Sequence, residues 1–585
     1  MRVIRFTSVL LASASLLPTA AKAQTVLVSA NTTGGVGNAE SRGSALSTDG
    51  RWVALTSNAT DLVAGDTNST RDVFLRDRLT GTTTRVSVNS AGAQANNLSG
   101  HVSLSADGQF IAFMSLATNL VTGDTNNSAD IFVHDRQTAQ TTRVSISSSG
   151  VQSNADSEHP CISADGRFVA FTSQAGNLVT GDTNGFKDIF VHDRQTGTTS
   201  RVSVSSSGVQ ANSNSAWSCI SADGGKIAFE SGATNLLGGG GDTNGVADVF
   251  LHDRNTGQTT RVSVATGGTE GNDRSGFASI TADGGRVAFM SFASNLIAAD
   301  TNGNPDAFVH SVASGSTERV SLTAAGGQAT FGTSSLDGPS ISAGGAYVAF
   351  TSYSSDIVPG DTNSSADIFV RDLATSQTTR QNVDSSGNQS NFSTCQWPKL
   401  SSSGRYLAFE STASNLVAGD TNAAYDVFLR DRGDINPLTY CTAGTSTFGC
   451  AATMGWALST GDCPSVSAGS GSFFVTCSGA DGQKDGVIFY GVSGRDATPW
   501  ALGSTSFLCV KAPTQRTANA NSGGTMGACD GSYSLDFFAW LAGNPGTLGA
   551  PAMVGNQFNF QAWYRDPPAP KTTSLSDGLE CFIAP

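Results

Sequence analysis

The sequence predicts an all-β chain whose main body is a seven-bladed β-propeller. Three observations predict it: a nine-residue pattern recurs seven times, an acidic loop pattern follows it each time, and both keep one period. The first pattern occupies 46–54 (Leu-Ser-Thr-Asp-Gly-Arg-Trp-Val-Ala) and returns, with substitutions, at 104–112, 162–170, 220–228, 280–288, 341–349 and 400–408. The second reads Gly-Asp-Thr-Asn, three variable residues, then Asp-(Ile/Val)-Phe. Only the fifth copy departs from it, with Ala299 and Ala307. Its first aspartate falls at Asp66, Asp124, Asp182, Asp242, Asp300, Asp361 and Asp420, at intervals of 58, 58, 60, 58, 61 and 59 residues.

Each unit reads as four strands. In the third, 159–163 is a short strand ended by the turn Ala164-Asp165-Gly166. Residues 167–173 alternate, with Phe168 and Ala170 on one face and Val169 and Phe171 on the other. After the loop that carries Asp182 come strands at 188–193 and 199–204, joined by Gln195-Thr196-Gly197. Strands bounded by Gly, Asp and Asn turns form hairpins and meanders. A four-stranded meander has two apolar faces, and stacking such meanders around an axis covers both. The last unit has a third strand at 426–431 but no Thr-Thr-Arg-Val-Ser after it, whereas 25–29 (Thr-Val-Leu-Val-Ser) precedes the first inner strand. The N-terminal strand is therefore expected to complete the last blade, which removes a free edge. An open solenoid would leave uncapped ends.

The core Ser163-Ala164-Asp165-Gly166-Arg167-Phe168-Val169-Ala170-Phe171 and the strand Asp188-Ile189-Phe190-Val191-His192-Asp193 resemble the repeats of TolB-type and related WD-like propellers. The resemblance covers about 24–432 and implies the fold. It implies no particular activity, because such propellers serve as scaffolds, binding platforms and enzymes.

The expected organisation is a signal peptide at 1–23, the propeller at 24–436 and a Cys-rich β domain at 437–585. Arg2 and Arg5 precede an apolar run at 7–17, Pro18 breaks it, and Ala21-Lys22-Ala23 offers a cut before Gln24. Secretion or a periplasmic location follows as an expectation. No later run reaches the roughly 18 apolar residues of a transmembrane segment. Formal charge is −14, and losing Arg2, Arg5 and Lys22 with the leader makes it −17. That field disfavours nucleic acid as a partner and favours divalent cations.

The repeated loop places oxygen donors at i, i+2 and i+6: Asp66/Asn68/Asp72, Asp124/Asn126/Asp130, Asp182/Asn184/Asp188, Asp242/Asn244/Asp248, Asp300/Asn302/Asp306, Asp361/Asn363/Asp367 and Asp420/Asn422/Asp426. Two readings stand: structural turns fixed by Asp and Asn side chains, or Ca²⁺ sites, without the glycine and glutamate of an EF-hand. The third strand carries Arg76, His134, His192, His252, His310, Arg371 or Arg430 at one position, which reads as a packing or pairing role.

The copies diverge on the inner strand. Three residues before the shared Leu/Ile stand Gly43, His101, His159, Trp217, Phe277, Gly338 and Trp397. One position earlier stand Arg42, Gly100, Glu158, Ala216, Gly276, Asp337 and Gln396. Arg42, His101, Glu158, His159, Trp217, Phe277, Asp337 and Trp397 are thus expected at one mouth of the axial channel. There they either bind a sugar or a peptide end or plug the channel. No catalytic motif accompanies them: no His-Glu-x-x-His and no Gly-x-Ser-x-Gly with suitable partners.

Beyond about 437 the repeat stops and Cys441, Cys450, Cys463, Cys477, Cys509, Cys529 and Cys581 appear. An exported chain can hold disulfides. Cys395 would make these seven even, and Cys161 and Cys219, at one inner-strand position in neighbouring blades, are a candidate pair if geometry allows. Short apolar runs between Gly- and Ser-rich turns suggest a disulfide-containing β-sandwich, with one helix at 534–541. The segments at 486–491, 506–511 and 563–568 resemble a C-terminal module of uncharacterised exported bacterial proteins. The leading expectation is a non-enzymatic scaffold that binds a protein or carbohydrate ligand outside the cytoplasm. The alternative is a polysaccharide hydrolase or lyase acting at the channel mouth.

Overall fold

A computed structural model describes residues 23–238, 241–334, 337–391 and 394–433 in full, and within 439–585 the backbone of strand segments only. The described residues of 24–433 form seven four-stranded antiparallel sheets and no helix. In the first, the strands run from axis to rim as Ser41–Leu46, Trp52–Ser57, Asp72–Asp77 and Thr82–Arg85. The third unit follows the expected order, with its outer strand shortened to Thr198–Arg201. Ser203 leaves that strand because its hydroxyl turns inward to Asp188, 2.5 Å away.

Ring closure is as expected. Gln24–Leu27 pairs antiparallel with Asp426–Asp431, and its sheet also holds Tyr406–Ser411 and Cys395–Leu400. First and last residues of the propeller therefore share one blade.

The core lies between blades. One buried cluster joins Ile131 and Val133 of the second blade to Val169 and Phe171 of the third, and six further clusters repeat the arrangement around the ring. Within a blade, paired phenylalanines such as Phe171 and Phe190 stack across the two middle strands, 6.0 Å apart.

The repeated turn explains its own sequence. Its backbone forms a chain of hydrogen bonds from blade to blade: Thr48 N to Ala106 O, Ala106 to Ala164, Ala164 to Ala222, Ala222 to Ala282, Ala282 to Ala343 and Ala343 to Ser402. Gly108 sits at φ 65°, and a Cβ there would lie 2.7 Å from the ring of Trp52 in the preceding blade. Only glycine meets both demands. Arg136 then closes the contact, with its guanidinium 3.6 Å above Trp52 and Nε donating to Gly108 O at 2.8 Å. The same latch joins Arg194 to Phe110 and Arg254 to Phe168. Where the aromatic is replaced by Lys226 or Arg286, the arginine of the next blade is replaced too, by Val312 or Leu373. The cation then comes from the other side, as Arg286 donates to Gly345 O at 3.0 Å.

The side chains of residues 439–585 lie outside the described residues, so the sandwich and disulfide expectations for the tail do as well. Its strand backbones include Gly531–Asp536, which overlaps the start of the expected helix at 534–541. There Tyr533 and Leu535 alternate with Ser532, Ser534 and Asp536, a strand period.

Closure by the N-terminal strand rests on Ser29, which donates to Asp426 at 2.6 Å and accepts from Val427 N at 3.1 Å, all buried. Ser29→Ala strands both partners, and equilibrium urea unfolding should show a loss of about 1–3 kcal/mol.

Candidate functional site

The seven acidic loops are built as internal locks. The aspartate opening each third strand (Asp72, Asp130, Asp188, Asp248, Asp306, Asp367 and Asp426) is fully buried. In the third blade Asp188 accepts from Ser203, and its other oxygen from Asn184 at 2.9 Å. Asn184 also donates to Ala211 O, tying the loop to the segment that leads into the next blade.

The other asparagines of the pattern take the same place. Asn68 donates to Asp72 at 3.1 Å and to Ala95 O at 2.9 Å, and Asn126 donates to Asp130 at 3.0 Å and to Ser153 O at 2.9 Å. Asn244 reaches Asp248 at 3.1 Å and Gly271 O at 2.8 Å, and Asn422 reaches Asp426 at 2.9 Å and Gly37 O at 3.0 Å. Asn302 donates to Ala329 O at 3.1 Å. Asn363 donates to Ser390 O at 3.0 Å and more loosely, at 3.4 Å, to Asp367, where Asn382 stands in for the serine. Each asparagine oxygen meanwhile accepts a backbone amide two residues on, as Asn68 does from Thr70 and Asn302 from Asn304.

Of the two readings of these loops, this geometry supports the turn for the asparagines. Their oxygens are spent in closing the turn, and their amides, which are donors, face the buried carboxylates in every blade but the fifth, where Asn302 donates to Ala329 O. Asn68, Asn126, Asn184, Asn244, Asn302, Asn363 and Asn422 are thus turn residues, and Asp130 and Asp367 are anchors of the lock like their counterparts.

A guanidinium from the outer strand sits between the two aspartates of a loop: Arg201 lies 3.1 Å from Asp182 and 3.4 Å from Asp188. Arg85, Arg143, Arg261, Arg319 and Arg380 repeat this placement, facing Asp72, Asp130, Asp248, Asp306 and Asp367. In the last blade the register puts Leu27 where the arginine would stand, since Leu27 faces Phe428 as Arg201 faces Phe190. There burial pushes the Asp426 carboxyl up to about 6, and the neighbouring charge of Asp420 adds to it.

The basic residues of the third strand also have a blade-level role. His192 Nδ1 bonds the Thr199 hydroxyl at 2.9 Å, and that hydroxyl donates to Ile146 O of the preceding blade. His134, His252 and His310 bond Thr141, Thr259 and Thr317 likewise, and Arg371 bonds Thr378.

The divergent column on the inner strands is brought together on the axis. Each inner strand except that of the sixth blade shifts register at this point, as between Glu158 and Cys161. The displaced residue takes a left-handed conformation: His101, His159, Trp217, Phe277 and Trp397 have φ between 47° and 55°. Such backbone costs of order 1 kcal/mol or more per non-glycine residue and concentrates at functional sites. The five rings form one cluster. His159 lies 4.3 Å from His101 and 3.9 Å from Trp217, and Trp217 lies 5.2 Å from Phe277 and 6.1 Å from Trp397. Gly338 makes room, because a Cβ there would meet the Phe277 backbone.

Behind these rings lies an axial cavity of about 380 Å³, with walls running down the inner strands to Leu46, Leu104, Ile220 and Leu400. The layer below the aromatics is small and polar: Ser103, Cys161, Cys219, Ser279 and Ser340. Lys399 is the single charge in this lining, exposed, and its ammonium makes no hydrogen bond or ion pair among the described residues. Burial pushes the Cys161 and Cys219 thiols up, and Lys399 opposes this only in part. Both are free thiols, so the candidate bridge between them is not formed. Cys395 is buried, with its sulfur 3.2 Å from the Ser411 hydroxyl and 3.4 Å from Asn382 Nδ2. The tail cysteines it was expected to make even lie outside the described residues.

The expected rim charges do not converge. Arg42 pairs with Glu40 at 3.1 Å and stacks on Tyr425. Glu158 pairs with Lys187 at 2.9 Å. Asp337 is buried and turned inward, accepting from Trp397 N and the Thr351 hydroxyl, each at 2.7 Å. Two carboxylates that the sequence reading missed do similar work. Glu410 accepts from Gly43 N at 2.6 Å, and burial pushes its carboxyl up to about 7. Burial raises Glu230 as well, beside the backbone of Phe277. The bulges at Gly43, Phe277 and Trp397 are thus each held by a carboxylate from the neighbouring blade. Lys399, Glu230 and Glu410 sit in repeat columns of small or neutral residues, and that contrast is the sequence signal for them.

No family model matches the chain, and no curated protein does. Solved structures with similar backbones include a putative TolB from Agrobacterium tumefaciens, 18% identical over 51% of this chain and 83% of that one, TM-score 0.31. TolB from Acinetobacter baumannii is 16% identical over 62% and 76%, TM-score 0.30. A GH74 xyloglucanase from Xanthomonas campestris is 9% identical over 78% and 60%, TM-score 0.37. Likeness at this level assigns this chain no activity, and the neighbours differ among themselves in what they are named for. No helix among the described residues is long and apolar enough to cross a membrane.

The histidine pair sets a pH dependence. Burial, His101 and Lys187 push His159 down to about 3, and burial lowers His101 as well. A histidine lowered in the folded state contributes full stability above the unfolded value near 6.5 and loses it on acidification towards 3. Urea midpoints of the parent should therefore fall from about pH 6.5 to about pH 4 more steeply than those of His159→Phe.

Proposed function

We propose that the chain is a non-enzymatic, extracytoplasmic binding platform that takes the anionic end of a protein or carbohydrate chain into its axial cavity. The observation that carries this reading is Lys399, an ammonium with no internal partner among the described residues, in a cavity otherwise lined by Ser, Cys and aliphatic groups and walled at one end by aromatics. A lone ammonium at the wall of a concave pocket is a ready partner for a carboxylate or another anion. The indole and imidazole faces supply flat surface against which a sugar ring or an apolar side chain can pack.

The rival reading as a hydrolase or lyase finds less support. Arg42 and Glu158 are spent in rim ion pairs, Asp337 is turned into the bulge backbone, and His101 and His159 pack against other rings. A general acid and base must reach one substrate atom together, and these groups do not share an open face.

Trp217 and Trp397 border the cavity and report occupancy through their fluorescence. Titration with short peptides as free acids, the same peptides amidated, and glucuronate oligosaccharides should change emission for the anionic ligands. Lys399→Met should weaken that binding by roughly tenfold, the worth of one charge-assisted contact. Equal affinity for free-acid and amidated peptides, or an unchanged affinity in Lys399→Met, contradicts the proposal.

A further inference from the structure

The fourth blade differs from five of its sisters in the residue that bridges to its acidic loop, and that residue changes what the loop can hold. In the first and fifth blades a glutamine amide completes the lock: Gln94 donates to Asp66 at 2.8 Å, and Gln328 to Asp300 at 2.7 Å. Gln152, Gln210 and Gln389 occupy the same bridge position in three other blades. In the fourth it is Glu270, which accepts and cannot donate.

The consequence is visible at Asp242. The arginines of the first, second, third, fifth and sixth blades stand 3.4, 3.2, 3.1, 3.5 and 3.4 Å from Asp66, Asp124, Asp182, Asp300 and Asp361. Arg261 is drawn to Glu270 at 2.5 Å and to Asp248 at 3.0 Å, and it is left 3.9 Å from Asp242. Asp242 has thereby lost both the amide and the close guanidinium. Its side chain is 1% exposed, and neither of its oxygens has a hydrogen-bond partner among the described residues. Asp242, Asp248 and Glu270 bring carboxylate oxygens within 4.8 Å of one another, so three negative charges face one guanidinium. The Thr243 hydroxyl and amide both donate to Glu270 and fix its carboxylate towards the loop.

We propose that Asp242, Asp248 and Glu270 bind one hard divalent cation of the Ca²⁺ type in the fourth blade. An all-oxygen donor set with two or more carboxylates selects hard cations, and Ca²⁺ accepts an irregular shell completed by water. Asn244 keeps its turn role and is not a ligand. Charge points the same way, because one divalent ion neutralises the excess that Glu270 introduces. The five sister loops with a glutamine have a guanidinium in this role and leave no comparable excess. The site is independent of the axial cavity.

The test is terbium luminescence on the metal-stripped full chain at neutral pH, with Ca²⁺ as competitor. The parent should bind one Tb³⁺ that Ca²⁺ displaces. Glu270→Gln, which installs the residue of the sister loops, should lower that affinity by at least roughly tenfold. Asp242→Asn should do the same, giving a second reading if either variant folds poorly in a melting check. Asp420→Asn, in the last blade where no arginine stands, should leave binding unchanged. Absence of Tb³⁺ and Ca²⁺ binding in the parent overturns the proposal, and then a proton between Asp242 and Glu270 relieves the cluster. Unchanged affinity in both Glu270→Gln and Asp242→Asn, or loss confined to Asp420→Asn, overturns it equally.

Discussion

The aspartate that opens each third strand is the constraint around which every blade is organised. It has no access to water, so each of its oxygens must find donors inside the protein. A serine hydroxyl just beyond the outer strand and an asparagine amide from the loop supply two, as Ser203 and Asn184 do for Asp188. The outer-strand arginine neutralises it. These partners come from two separate stretches of the repeat, the loop and the end of the outer strand, and Asn184 also donates to Ala211 O, so one buried charge fixes the loop, the outer strand and the approach to the next blade together. The last blade is the informative variation. It takes its serine from Ser29, its asparagine from Asn422, and has Leu27 in place of the arginine, because its outer strand is the N-terminus of the propeller.

Between blades, the work passes to the Asp-Gly turn and its aromatic latch. The turn carries the backbone chain of hydrogen bonds from Thr48 to Ser402, and the glycine lets an aromatic ring and an arginine of neighbouring blades meet. Because these two devices hold the ring, the inner strands are free to differ at their bulges. The strain of placing histidine, tryptophan and phenylalanine at positive φ is carried there, and the three carboxylates Glu230, Asp337 and Glu410 brace the bulges that bear it or face it. A rigid repetitive shell thus surrounds a centre that does not repeat.

Much of this was legible in the sequence, and the reason is the period itself. Seven copies expose the strand pattern, the turn glycine and the missing last strand without any knowledge of contacts. The divergent column from Gly43 to Trp397 likewise marked the axis. Three things were not legible. The choice between a turn and a metal site in the acidic loops depended on which way asparagines such as Asn68 and Asn126 point their amides, and on whether Arg85 and its counterparts fold back across the sheet. Both are matters of register and orientation that spacing alone does not carry. Asp337 read as a mouth residue because its column lies beside the bulge, yet it is turned inward to the Trp397 amide. Lys399, Glu230 and Glu410 lay in columns that are otherwise bland, and only their placement beside the rings gives them meaning.

The most direct test of the internal-lock account compares Asp188→Asn with Asp426→Asn by equilibrium unfolding at about pH 7, above the value to which Asp426 is raised. Both changes remove a buried carboxylate charge with nearly the same shape and the same serine and asparagine partners. In the third blade the change takes one of its two carboxylates from Arg201, whose side chain is 10% exposed, and leaves it Asp182 alone. In the last it relieves a carboxyl that already sits at about 6 with no arginine beside it. The account predicts that Asp188→Asn loses about 2 kcal/mol, the worth of one hydrogen bond between charged groups, and Asp426→Asn distinctly less. Equal losses at the two positions would contradict it.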